Sequence, residues 1–205
     1  PMPGVERRML DRLGDEVARA TTIVRYAADS SFSSHVHTGG EEFFVLDGIF
    51  QDEHGDFPAG TYIRNPPQSS HTPRSVPGCT IFVKLWQFDP SDRTHVRIDT
   101  AKMAWLQDPT RPGTAIMPLF NDGHEDVRLE RWGAGQVVEI QDPGGVEILV
   151  LDGSFKEADD TFRPHSWLRL PKNRKVEAHA GADGAKVWIK RGHLMRQPQP
   201  PAAPV

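Results

Sequence analysis

Short runs of β-branched and aromatic residues recur along this chain, broken every few positions by Gly, Pro, Asn or Asp. Long stretches with apolar residues at helical spacing are missing, so many short strands joined by turns is the better reading. Residues 21–26, 43–46, 49–50, 60–64 and 80–86 read as strands, with Asp47-Gly48, His54-Gly55 and Ala59-Gly60 as turns. The opening segment, residues 5–20, stays ambiguous. There Val5, Met9, Leu10, Leu13 and Val17 sit among many charges and fit either a short amphipathic helix or edge strands.

The strand pattern then repeats. Residues 144–153 align with 39–48, 162–169 with 57–64 and 187–190 with 81–84, at an offset of 105 that grows to 106 by the last strand. Such self-similarity predicts two copies of one β unit. The first would span residues 1–100 and the second 119–194. Between them, 101–118 reads as a connector punctuated by Pro109, Pro112, Gly113 and Pro118, and 195–205 as a disordered Pro-rich tail.

Composition narrows the class of function. With 205 residues, 37% hydrophobic and 25% charged, the chain reads as soluble and globular with a sizeable core. Its net charge of -4 comes with scattered Lys and Arg, so nucleic acid is not an expected partner. No apolar run approaches the roughly 18 residues of a membrane span, and no charged-then-apolar leader opens the given chain, whose Pro1 is not an initiator residue. One cysteine, Cys79, excludes an intramolecular disulfide and reads as a small buried hydrophobe. The expected compartment is cytoplasmic.

Candidate chemistry gathers in the first copy. His35 and His37 are two apart on a strand, so both imidazoles point the same way. Gly39-Gly40 lets the chain kink before Glu41 adds a carboxylate, and His71 ends a later β-rich run. Glu42 is an alternative acid at a looser spacing. At the repeat offset, His35, His37, Glu41 and His71 become Ile140, Asp142, Val146 and Val176, so one metal per chain is expected, in the first copy. The other histidines have no partner at ligand spacing. Phe44, Tyr62, Arg64 and Trp86, on neighbouring strands, are candidates to line a ligand pocket, with plain core packing as the alternative.

His-x-His, three residues, Glu, six residues, Gly, met by His35, His37, Glu41 and Gly48, resembles the first cupin motif. The second cupin motif is met in part: Gly60, Pro66 and His71 fit, while Gln68 replaces a Gly and Ser75 an Asn. The wording of both segments resembles the ChrR-like cupins. That resemblance implies an all-β chain of two tandem cupin (jelly-roll) barrels, the first holding a divalent metal on His35, His37, Glu41 and His71. Fe(II) or Zn(II) is the implied ion, with Mn, Ni and Cu open. Resembling cupins cleave carbon–carbon bonds in diketones and hydroxyketones with Fe(II) and O₂. The leading expectation is therefore a metal-dependent dioxygenase acting on a small oxygenated molecule. The alternative is a non-catalytic zinc-binding sensor or binding protein. ChrR-like cupins also include a lobe of anti-sigma factors, in which a separate helical domain grips the sigma factor. No helical bundle of sufficient length precedes residue 21 in the given sequence, so a sigma factor is not the expected partner. A homodimer is the expected assembly.

Overall fold

The computed structural model describes residues 4–14 and 17–195. Two compact units divide the chain between Lys102 and Met103. The first unit contains β1 (Val5–Leu13), β2 (Arg19–Tyr26), β3 (Ser30–Ser31), β4 (His35–His37), β5 (Glu41–Asp52), β6 (Gly55–Pro58), β7 (Thr61–Asn65), β8 (Ser69–His71), β9 (Arg74–Ser75), β10 (Cys79–Leu85) and β11 (Val96–Asp99). Its main sheet runs β1-β2-β10-β5-β7-β11, and β4 pairs with β8 in a separate small ladder. Strand β5 joins the two sides of the curl. Its first residues pair with β10 and β7, and its last with β6 and β9.

The opening segment is a strand, which resolves the choice between helix and edge strand. Strand β1 pairs with β2 from Val5↔Tyr26 to Leu13↔Arg19, and the register shifts between Met9 and Asp11. That extra residue, Leu10, is a β-bulge, which breaks the two-residue alternation and leaves a spacing that resembles a helical one. A second shift lies in β5, where Thr80 pairs with Asp47 but Ile81 with Val45. Gly48 follows it in the left-handed region at φ 70°. The core of this unit is Val24, Phe43, Val45, Phe50, Phe57, Ile63, Ile81 and Val83, with Cys79 buried beside them. Each large apolar side chain there contributes roughly 1.5–3 kcal/mol.

The second unit contains β12 (Leu106–Gln107), β13 (Thr114–Asn121), β14 (Asp126–Trp132), β15 (Val137–Gln141), β16 (Val146–Glu157), β17 (Asp160–Phe162), β18 (Trp167–Leu170) and β19 (Lys175–Arg191). Strand β12 and the start of β13 fall inside residues 101–118 and pair with each other. The repeat seen in the sequence is also a repeat of backbone conformation. Gly40 and Gly145 (φ 78° and 83°), Gly48 and Gly153 (70° and 67°), and Gln68 and Asn173 (72° and 62°) are left-handed at the same offset. Of residues 195–205, read from sequence as a disordered tail, Met195 closes a short 3-10 turn (His193–Met195) and 196–205 lie outside the described residues. Among the described residues no helix is long and apolar enough to cross a membrane.

Candidate metal centre

The small ladder between β4 and β8 builds the site. It sets His35 opposite His71 and His37 opposite Ser69, so side-chain alternation brings three imidazoles to one face. One nitrogen from each of His35, His37 and His71 lies within 4.8 Å of the others. His37 Nε2 and His71 Nε2 are 2.9 Å apart. Glu41, at the start of β5, brings Oε2 to 3.4 Å from His37 Nε2 and 3.6 Å from His71 Nε2. Asn65, paired with Glu41 across β5 and β7, donates from Nδ2 to the same oxygen at 3.2 Å and holds the carboxylate in place.

Two of the rings are oriented by hydrogen bonds on their far side. His35 Nδ1 donates to the Ser33 carbonyl at 3.1 Å, which leaves Nε2 as the lone-pair nitrogen. His71 Nδ1 lies 3.3 Å from Asp52 Oδ2, whose carboxylate accepts, so the His71 Nε2 lone pair also faces the cluster. Burial pushes the His37 pKa down, although Glu41 opposes that, and keeps this ring neutral near neutral pH. Burial acts the same way on His71, but the Asp52 hydrogen bond and then Glu41 outweigh it and raise its pKa. Tyr26, edge-on to Phe32 and Phe50, is pushed up by burial and then by Glu41, so its phenol stays protonated.

A model of the ChrR cupin-like domain matches residues 1–89 and again residues 93–195. The chain belongs to the ChrR-like cupin family. Its fold is similar to that of a "putative dioxygenase" from Nostoc punctiforme, at a TM-score of 0.77 and 16% identity, covering 98% of this chain and 78% of that one. It is also similar to YlbA from Escherichia coli, at 0.70 and 13%, covering 94% and 86%. An oxalate decarboxylase from Bacillus subtilis aligns at 0.61 and 11%, covering 85% and 68%. A search of curated protein sequences gives no match.

In this cupin the second copy repeats the ladder without the chemistry. Ile140 pairs with Val176 as His35 pairs with His71, and Ile140, Val146 and Val176 are packed into an apolar core. Glu42 lies on the other face of β5 from Glu41, where its Oε1 accepts the Tyr62 hydroxyl at 2.5 Å. Phe44, Tyr62 and Arg64 share that face, because Phe44 pairs with Tyr62 and Glu42 with Arg64. Arg64 donates to Asp92 Oδ2 at 2.8 Å and stacks 4.3 Å over the Phe88 ring. The structure thus does not bring these three candidate lining residues to the histidines. Trp86 is nearer. Its indole lies on Gly39, where a Cβ would come within 2.0 Å of it, and the Phe88 ring covers Gly40 in the same way. The two glycines that separate His37 from Glu41 are therefore a seat for two aromatic rings as well as a kink.

Asp52 is the site residue that sequence reasoning missed. It stands next to acidic Glu53 before a turn, and nothing in that local pattern distinguishes it from a surface acid. Gln68, where the motif asks for Gly, takes a left-handed conformation of the kind that favours Gly, at φ 72°, and its N–H donates to the His37 carbonyl at 2.9 Å. Gln68→Gly should relieve that strain and raise stability by up to about 1 kcal/mol, net of glycine's greater entropy when unfolded. Thermal unfolding checks this, and a lower melting temperature for the variant would contradict it.

Proposed function

We propose that this cupin is a metal-dependent dioxygenase of the Fe(II) type, acting on a small oxygenated substrate such as a diketone or hydroxyketone. His35, His37, His71 and Glu41 would hold one divalent ion. The observation that carries the reading is the convergence of three imidazoles and a carboxylate, with the His35 and His71 lone pairs aimed inward by their outer partners. Two nitrogens bonded at about 2.05 Å to one ion lie roughly 2.9 Å apart at a right angle and roughly 3.3 Å apart at the tetrahedral angle. His37 Nε2 and His71 Nε2, 2.9 Å apart, are close enough for one ion to take both. Bound Fe(II) supplies electrons for O₂ reduction and a Lewis acid for a substrate oxygen. The likeness in fold to the Nostoc protein described as a "putative dioxygenase" is in keeping with this reading.

A second reading, a non-catalytic zinc-binding sensor, is favoured by the match to the ChrR cupin-like domain. One set of measurements separates the two: metal content, melting temperature and O₂ consumption for wild type and Glu41→Gln, each loaded with Fe(II) and with Zn(II). The dioxygenase reading expects substrate-dependent O₂ uptake from the Fe(II) form across diketones and hydroxyketones, impaired by Glu41→Gln more than metal occupancy is. No uptake across that panel, with a stability gain from Zn(II) alone, would leave the sensor.

Metal affinity should also rise with pH. The raised pKa of His71 means that its Nε2 keeps a proton to higher pH than the ordinary value of about 6.5, and metal must displace that proton. Apparent Zn(II) affinity, measured by chelator competition, should fall steadily from pH 8 to pH 6. A flat profile would argue against coordination through His71.

A further inference from the structure

We propose that Asp52 is a positioning residue of the metal centre, its carboxylate fixing His71 in the tautomer that turns an unprotonated Nε2 toward His37 and Glu41. This rests on the metal reading of the site. Asp52 is the last residue of β5 and is 5% exposed. Its two oxygens have different tasks. Oδ1 accepts the backbone N–H of His54 at 2.7 Å, so the turn into β6 holds the carboxylate in one orientation. Oδ2 is left to accept His71 Nδ1–H at 3.3 Å. The Phe50 ring lies 5.7 Å from the His71 ring and walls this arrangement with apolar surface, where a polar contact counts for more than in water.

The second copy supplies an internal comparison. At the repeat offset Asp52 becomes Glu157 and His71 becomes Val176. Val176 is fully buried in the apolar core, whereas Glu157 is half-buried and pairs with Asp160 across the β16–β17 ladder. Where the imidazole is gone, the buried aspartate has gone too. An acid at this position is thus buried only in the copy where a histidine faces it. Asp52 also adds a second negative charge to that of Glu41, which together balance a divalent ion held by neutral imidazoles.

The isosteric variant Asp52→Asn tests this sharply. The His54 N–H requires an acceptor, so it keeps the amide oxygen, and the amide NH₂ then faces His71 Nδ1. That nitrogen must now accept, which moves the proton to Nε2 and blocks the metal-binding lone pair. In ¹⁵N-histidine spectra of metal-free protein, His71 should be Nδ1-protonated in wild type and Nε2-protonated in Asp52→Asn. Asp52→Ala, which removes the acceptor without supplying a donor, should lose the wild-type preference. Co(II) titration should show affinity 10- to 100-fold weaker in Asp52→Asn. An unchanged His71 tautomer with wild-type Co(II) affinity would overturn the inference, as would a loss of stability alone. Wild-type protein that binds no Co(II) would instead overturn the metal reading, and the tautomer of the metal-free protein would still decide what Asp52 does to His71.

Discussion

His37→Ala should strip the protein of its metal. His37 Nε2 is central to the site, 2.9 Å from His71 Nε2 and 3.4 Å from Glu41 Oε2, and its depressed pKa keeps it neutral and ready to bind. If His35, His37, Glu41 and His71 hold the ion as proposed, removing one of the four should weaken binding by more than the roughly 10- to 100-fold that loss of an outer partner causes. Protein purified without added metal should carry one ion per chain as wild type and less than a tenth of that as the variant. The second copy has no means of compensating, because Ile140, Val146 and Val176 fill the equivalent positions with hydrocarbon. Two tightly held ions per chain by elemental analysis would defeat this account, as would metal retained by the His35→Ala, His37→Ala double variant.

The largest effect on stability is expected from Gly48→Ala. A Cβ at Gly48 would lie 2.0 Å from the Gly78 carbonyl oxygen and 2.8 Å from the Cys79 Cα, and both are backbone atoms. Relief would require β5 and β10 to separate next to the Cys79↔Gly48 pair, where the Ile49 N–H also donates to the Gly78 carbonyl. The left-handed backbone at φ 70° adds strain for any residue with a Cβ. Together these should cost about 3–5 kcal/mol, in the range of severe core lesions, and lower the melting temperature by roughly 10 °C or more. Gly135→Ala is the control. It has nearly the same left-handed φ, at 65°, but a Cβ there meets nothing within 4 Å, so only strain remains. Equal losses for the two variants would show that the close approach to Gly78 has no consequence.

Much of the site was legible because its rules are local. A strand turns alternate side chains to one face, so His35-x-His37 announces two convergent imidazoles before any sheet is known. The repeat offset located the second unit and the apolar residues that stand there in place of the histidines, and the register matches the alignment, His35↔His71 against Ile140↔Val176. Even the departure at Gln68 was a departure of residue type and not of conformation, since its backbone is left-handed like that of Asn173.

What the tertiary structure alone decided is which face of each strand is the inside. Phe44, Tyr62 and Arg64 are buried as fully as Phe43 and Ile63, so hydrophobicity could not tell the histidine side of β5 and β7 from the opposite side. Only the pairing of Glu41 with Asn65 and of Glu42 with Arg64 settles it. The bulge at Leu10 hid a strand behind a helical spacing, because one extra residue shifts every later side chain to the other face. Asp52 depended on the fold for the same reason. It meets His71 across 19 residues of chain, and a buried carboxylate is recognisable as part of a site only once the strand that carries it has been curled back over its partner. Strand period, turn chemistry and ligand spacing are properties of the chain, whereas the choice of inner face and the pairing of distant polar groups arise when the sheet closes.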